Sequence, residues 1–317
     1  QGICGNLYKS VLAMYKDTLS AVCVNGYLTG WFESRNGVKQ GDIMSPTLFN
    51  ILLNGLASSI KDTNIGVQCG DDLVNILLYA DDIVIFAETE KDLQTLIDIV
   101  DEWCYKWRLS INLKKTQVVH FRKNDTERSN SIFKCGQDEL TTVGQYKYLG
   151  CVLNEHLDFT VTSNLLAEAA SRALGGVINK CLKINSIMYK SYTKVYNTGI
   201  VPIMDYASGV WGYKCYDKPQ VIQNRAQRAF LGVHRYASNV VINGDMAWVT
   251  PGVRRKLNMI RLWARLEKMN ENRLTKRIYL WDRSCKVNNC TPCKVFRAFL
   301  RENDYVPERK RLVPARK

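Results

Sequence analysis

No stretch of this 317-residue chain approaches the roughly 18 to 20 consecutive apolar residues that cross a bilayer. Nor does a charged-then-apolar leader open it, so an intracellular place, nuclear or cytoplasmic, is expected, with no membrane role. The sequence begins on Gln1 in helix-like spacing and is expected to lack its natural N-terminus. Proline is scarce, with seven in all, and Pro202, Pro219 and Pro251 read as punctuation between helices. Histidine is scarcer: His120, His156 and His234 are the only three. Cysteine is plentiful at eleven, but Cys23, Cys69, Cys104, Cys151 and Cys181 sit singly in apolar stretches, where a thiol acts as a small hydrophobe. That usage fits a reducing compartment.

Charge is abundant but unevenly placed. The net charge is +14, and residues 251–317 hold 19 Lys and Arg against six Asp and Glu. Residues 1–250 are nearly balanced, at 25 against 24. Basicity confined to one end points to a segment that contacts a polyanion, or else to a solvated helical surface. Within it, Arg254, Arg255, Arg261, Arg265 and Lys268 interleave with Leu257, Ile260, Leu262, Trp263 and Leu266. That spacing predicts an amphipathic helix with one basic face, open to phosphates or to acidic residues elsewhere.

Periodicity predicts a helix over 7–19 and then a hairpin in which Asn25-Gly26 makes the tight turn. A second helix is expected from about Pro46 to Ile60, with Ser45 as its N-cap. Two short apolar strands, Val74 to Leu78 and Ile83 to Phe86, are interrupted by Asp81-Asp82. A third helix follows, with Leu93, Leu96, Ile97, Val100, Trp103, Cys104 and Trp107 on one face and Thr89 with Asp92 as a capping box. Thr116 to Phe121 and Tyr146 to Leu153 read as strands. Beyond residue 155 the pattern is helical, over roughly 158–182, 187–201, 217–232 and 254–272.

Adjacent carboxylates between apolar strands resist joint ionisation, and burial raises the cost. At a hairpin tip they stay partly wet and can share a divalent cation; taken alone, an ordinary Asp-Asp turn fits equally well. The ordered surroundings carry more. Gly37-Val38-Lys39-Gln40-Gly41-Asp42 with Ser45-Pro46 comes first, then Tyr79-Ala80-Asp81-Asp82, then Asn112-Leu113-Lys114-Lys115-Thr116, then Tyr148-Leu149-Gly150. The series resembles reverse transcriptases, specifically those of non-LTR (LINE-type) retrotransposons. Val201-Pro202, Tyr206, Trp211 and the stretch from Gln223 to Leu231 resemble the region that follows the polymerase in these elements.

The resemblance implies an α+β fold: a partial palm over 1–153, an antiparallel sheet with packed helices, then a mostly helical thumb-like region over 154–250 and a basic segment over 251–317. It implies template-directed DNA synthesis on RNA template and DNA primer from deoxynucleoside triphosphates, with Mg²⁺ held by Asp81 and Asp82 as catalytic carboxylates. Lys115 is implied to serve the departing pyrophosphate, although a loop lysine is otherwise simply solvated. Gln40, Gly41, Ser45 and Tyr79 are implied to line the nucleotide site, although Gln40-Gly41 also suits a plain helix-entry turn. Tyr148, Leu149 and Gly150 are implied to grip the primer.

The family's first catalytic motif, a strand bearing a further metal-binding Asp, has no counterpart in this sequence, and Asp17 and Asp42 do not match it. The chain alone is therefore expected to be inactive, and its carboxylate hairpin to leave a sheet edge open. The alternative is a non-catalytic nucleic-acid-binding remnant. An intron maturase or telomerase lineage fits the later region less well. Cys285, Cys290 and Cys293 have a knuckle-like spacing but no fourth ligand, so zinc is not expected.

Overall fold

The structure, a computed structural model, describes residues 4–34, 37–184 and 187–284. Helices alternate with short, mostly antiparallel two-stranded ladders, the α+β mixture that the pattern implied. No described helix is long and apolar enough to cross a membrane. The chain divides into two compact units: one takes residues up to Leu113 with Phe133–Glu139, and the other takes Lys114–Ile132 with the chain from Leu140 onward.

The first unit holds α1 (Gly5–Tyr15), α2 (Ser45–Lys61) and α3 (Glu90–Lys106). Its core is built where α2 and α3 meet the hairpin of Ile76–Tyr79 and Asp82–Ile85. Leu53, Leu56, Ile60, Ile76, Leu96, Trp103 and Cys104 are buried together, and each fully buried aliphatic side chain contributes about 1.5 to 3 kcal/mol. The start of α3 is capped as expected: the Thr89 hydroxyl accepts from the Asp92 N–H at 3.1 Å and donates to the Asp92 carboxylate at 2.7 Å. Asn75 breaks the apolar run expected as one strand from Val74 to Leu78. Its buried side chain donates to the Ile60 carbonyl at the end of α2, at 3.3 Å, and the two ladders 67–74 and 76–85 separate there.

Cys104 and Cys135 are the buried thiols of this unit. Burial, reinforced by Asp101, pushes the Cys135 thiol up to about 11. Cys23 departs from the expectation: its ladder is only two residues long and both strands are exposed, so it faces solvent. The whole early segment shares that exposure. No described residue of α1 is buried, and Tyr27, Trp31 and Ile43 are exposed by 82%, 68% and 93%.

The second unit includes the hairpin of Gln145–Tyr148 and Cys151–Asn154, followed by α4 (Thr160–Leu182). Tyr146 to Leu153 is thus two strands, because Leu149 and Gly150 both take positive φ and turn the chain. Thr116 to Phe121 shrinks to Gln117–Val118, which pairs in parallel with Thr141–Thr142. Next come α5 (Tyr189–Val195), a π-helical turn over Tyr196–Ile200 and α6 (Val201–Met204). Pro202 does not end this helix. It falls in the first turn of α6, directly after the π-helical turn. The remaining helices are α7 (Ser208–Trp211), α8 (Asp217–Leu231), α9 (Asn239–Met246), α10 (Pro251–Glu267) and α11 (Leu274–Ser284). Ala167, Ala170 and Leu174 of α4 pack with Tyr196, Ile200, Met204, Ile222 and Ala226 into its core.

Arg254 and Arg255, expected on a basic surface, instead serve this core. Arg255 is 1% exposed and Asp205 3%; Arg255 Nε donates to Asp205 Oδ1 at 3.1 Å and Arg254 Nε to Oδ2 at 2.8 Å. The Arg255 guanidinium also lies over the Trp211 ring, 4.8 Å from its centroid. Arginine's flat cation suits such a place because it stacks and donates at once. Close approach of α10 to α7 needs glycine: a Cβ at Gly212 would sit 2.9 Å from Arg255 Cβ and 2.5 Å from the Ser208 carbonyl. Removing the acid leaves the fully buried Arg255 guanidinium without its carboxylate and takes one acceptor from Arg254, which keeps Gln223 and the Val249 carbonyl. Asp205→Ala is therefore expected to lower stability by about 3 kcal/mol or more, read as a shifted urea midpoint; an unchanged midpoint contradicts this role.

Candidate functional site

The carboxylate hairpin is placed by alternation. Its register pairs Ile76 with Ile85, Leu77 with Val84, Leu78 with Ile83 and Tyr79 with Asp82. Ile76, Leu78, Ile83 and Ile85 share the face that packs on the core. Period-two geometry then puts Leu77, Tyr79, Asp82 and Val84 on the opposite face. Tyr79 is 63% exposed, and both Asp81 and Asp82 are exposed. Asp82 opens the second strand and Asp81 stands in the two-residue turn with Ala80. Ala80 has φ 51°, a left-handed conformation that costs an alanine about 1 kcal/mol, so the tip is strained.

The Gly37 to Ser45 segment is held by α1. The Tyr15 hydroxyl donates to Asp42 Oδ2 at 2.9 Å and lies 3.1 Å from the Ser45 hydroxyl. Lys39 Nζ donates to the Met14 carbonyl at 2.7 Å and sits 5.4 Å from the Tyr15 ring centroid. Gly41 has φ 87° and open space where a Cβ would stand, while Gln40 beside it is exposed. Ser45 is buried but does not cap α2. The helix start has no side-chain cap: Asp42 accepts from the Met44 N–H just before it at 3.3 Å, and the Ser45 hydroxyl turns back to donate to the Lys39 carbonyl at 2.7 Å. Asp42, no match to the missing motif, is thus a structural anchor. Tyr15 escaped notice in the sequence because its partner lies 27 residues on.

Lys115 and Tyr148–Gly150 belong to the second unit. Lys115 is exposed, and its carbonyl accepts from the Tyr146 hydroxyl at 3.1 Å. In the Tyr148–Cys151 turn, Leu149 has φ 45° and Gly150 φ 84°, the two positive values of the hairpin turn that matches strand twist. Gly150 is required twice over, since a Cβ there would lie 3.0 Å from the Tyr206 ring. The Tyr206 hydroxyl donates to the Leu149 carbonyl at 3.0 Å, and Trp211 Nε1 to the Tyr206 carbonyl at 2.9 Å. Thr162 of α4 latches the following strand, accepting from the Val152 N–H and donating to its carbonyl. The motif residues Tyr206 and Trp211 thereby brace the turn that contains Leu149 and Gly150.

Among the described residues, no group of three His, Cys, Asp or Glu is arranged to hold a metal. Cys285, Cys290 and Cys293 lie outside the described residues. The donor set at the hairpin tip, two adjacent carboxylates open to solvent, fits a hard cation that completes its shell with water and substrate phosphates.

The Asp42 carboxyl is held below its ordinary value, first by the Met44 N–H, then by the Tyr15 hydroxyl, with Ser45 and Lys39 adding to it. A depressed carboxyl stabilises the fold at pH values above its unfolded pKa of about 4, and that support is lost as pH falls through the folded value. Tyr15→Phe removes one of the hydrogen bonds. Its Asp42 carboxyl, followed by NMR titration, is expected to titrate at higher pH than in the parent; an unmoved curve contradicts the anchor.

Residues 4–153 match the family described as reverse transcriptase (RNA-dependent DNA polymerase). The chain is similar to the Retrovirus-related Pol polyprotein from type-1 retrotransposable element R2 of Nasonia vitripennis, at 28% identity over 44% of this chain and 14% of that protein. It is 29% identical to the corresponding polyprotein of type-2 element R2DM of Drosophila melanogaster, over 46% of this chain and 14% of the relative. With the RNA-directed DNA polymerase from mobile element jockey of Drosophila funebris the identity is 26%, over 76% of this chain and 26% of the relative. The matches thus span about a quarter or less of each of these relatives' length. In sequence, residues 4–153 are thus similar to reverse transcriptases, and the relatives that the chain resembles are polymerases and polyproteins of retrotransposable elements.

Proposed function

We propose that this chain is part of the RNA-directed DNA polymerase of a non-LTR retrotransposon, working on RNA template, DNA primer and deoxynucleoside triphosphates. One observation carries the reading: adjacent carboxylates at the solvent end of a hairpin whose other face is locked into a core. In the reaction, the primer 3′ oxygen forms a bond to the α-phosphorus of the incoming nucleotide. The bond to pyrophosphate breaks, and the hydroxyl proton leaves.

Asp81 and Asp82 would hold Mg²⁺, which when bound makes a hydroxyl more acidic and neutralises charge on phosphate oxygens. Tyr79 gives the nucleotide a flat wall on the face it shares with Asp82. The Gln40-Gly41 turn allows the backbone to approach the nucleotide closely, with Ser45 and Asp42 holding it in shape. Lys115 would set a positive charge by the departing pyrophosphate. Tyr148, Leu149 and Gly150 would bear on the primer, in a turn stiffened by Tyr206. In this reading residues 1–153 are a partial palm, 154–250 a thumb-like region and 251–317 a basic segment.

The 317 residues alone are expected not to extend a primer, because no third carboxylate joins Asp81 and Asp82 among the described residues. Primer extension on an RNA template with Mg²⁺ tests both halves. The chain alone should give none. A polypeptide prolonged upstream through its own coding sequence should give extension that Asp81→Asn or Asp82→Asn reduces by more than about a hundredfold. Full activity in either variant of the longer polypeptide would refute the assignment.

A further inference from the structure

With Arg254 and Arg255 committed to Asp205, Lys256, Arg261, Arg265 and Lys268 are the exposed cations along α10, the last two at its C-terminal end. α10 closes at Glu267, a short loop follows, and α11 begins at Leu274. An open cavity of about 660 Å³ lies at this corner, lined by Ala264, Arg265, Lys268, Met269, Asn270 and Arg273. Arg265, Lys268 and Arg273 are all exposed, and none pairs with a carboxylate among the described residues. Arg265 and Lys268 stand three residues apart, so they are neighbours on the helix surface and repel one another by a few tenths of a kcal/mol.

The nearest acid in the helix does not relieve them. Glu267 accepts from the Tyr279 hydroxyl at 2.7 Å and from Arg283 at 2.6 Å, and its other oxygen lies 3.6 Å from Lys276 Nζ. Its charge is thus spent within the α10–α11 pair. Glu271 in the loop is exposed and pairs with none of the three cations. Asn270 gives its side-chain oxygen to the Asn272 N–H at 2.8 Å, which leaves its amide hydrogens for an outside acceptor. Two guanidinium groups offer paired donors that match phosphate oxygens, and Ala264 and Met269 supply an apolar strip suited to the face of a sugar.

We propose that this corner is a binding site for the phosphodiester backbone of a nucleic-acid strand. The cavity is broad and open rather than enclosing, which suits a chain of phosphates passing across it. Contacts to phosphate alone select charge and spacing, so the site takes strands of any sequence. It does not involve Asp81 or Asp82 and stands whether or not the chain polymerises.

The test is fluorescence-anisotropy titration of the full chain with a labelled single-stranded RNA and a labelled DNA duplex at several salt concentrations. The triple variant Arg265→Gln, Lys268→Gln, Arg273→Gln is expected to bind both about tenfold or more weakly. The slope of log affinity against log salt should flatten by about two, as expected when two to three phosphate contacts are lost. The double variant Lys190→Gln, Lys194→Gln, which removes exposed charge from α5, should lose much less. Because the three side chains are exposed, thermal melting should be unchanged. Equal losses in the two variants, or undiminished binding in the triple variant, would overturn the proposal. Calorimetry with inorganic tripolyphosphate separates the sources: a loss confined to tripolyphosphate would mark a free-polyphosphate site and also overturn the nucleic-acid reading.

Discussion

The Ile76–Ile85 hairpin can place its carboxylates on only one side, because Ile76, Leu78, Ile83 and Ile85 are packed against α2 and α3. Strand side chains alternate, so burying those four sends Tyr79 and Asp82 outward. A slip of one residue would expose the aliphatic face and bury the acid, at a cost of several kcal/mol for the side chains and more for the charge. The chemical reading of the first unit therefore hangs on an apolar register rather than on any bond the aspartates make. The strain at Ala80 is part of the same arrangement: the core holds both strands, and the turn must close over whatever residues remain.

The second unit works on a different constraint. Its interior includes an acid, Asp205, held between two arginines, and α10 reaches α7 only because Gly209 and Gly212 clear its path. That pairing decides which cations remain outside. An arginine buried on Asp205 cannot meet a phosphate, so the exposed cations of this helix are Lys256, Arg261, Arg265 and Lys268. Tyr206 and Trp211, close to Asp205 in sequence, extend the same framework to the Leu149-Gly150 turn.

Local signals in the sequence were legible wherever a few neighbouring residues settle the structure. Asn25-Gly26 forms its tight turn, Thr89 caps α3, and the faces of α2 and α3 follow their spacing. The ladders at Phe133–Cys135 and Asp138–Thr142 were not foreseen, and neither were α7, α9 and α11. Strands of three to five residues span too little chain for alternation to register, and α7 and α9 are too short for a helical stripe. The fate of Arg255 was hidden for another reason, since its partner lies 50 residues away and charge patterning cannot tell a buried arginine from a solvated one. At the site, residue types and order were plain, but Ser45 was taken for a cap because nothing local shows that its hydroxyl turns back to the Lys39 carbonyl.

The central claim is that Asp81 and Asp82 form a divalent-cation site, and Mn²⁺ added to the full chain reports on it directly. Paramagnetic broadening of backbone amide signals detects even weak occupancy. Selective broadening from Tyr79 to Ile83, abolished in the Asp81→Asn, Asp82→Asn double variant, is the predicted result. Broadening that persists in that variant, or that spreads over exposed acids such as Glu271 with no preference for the hairpin, would contradict the account.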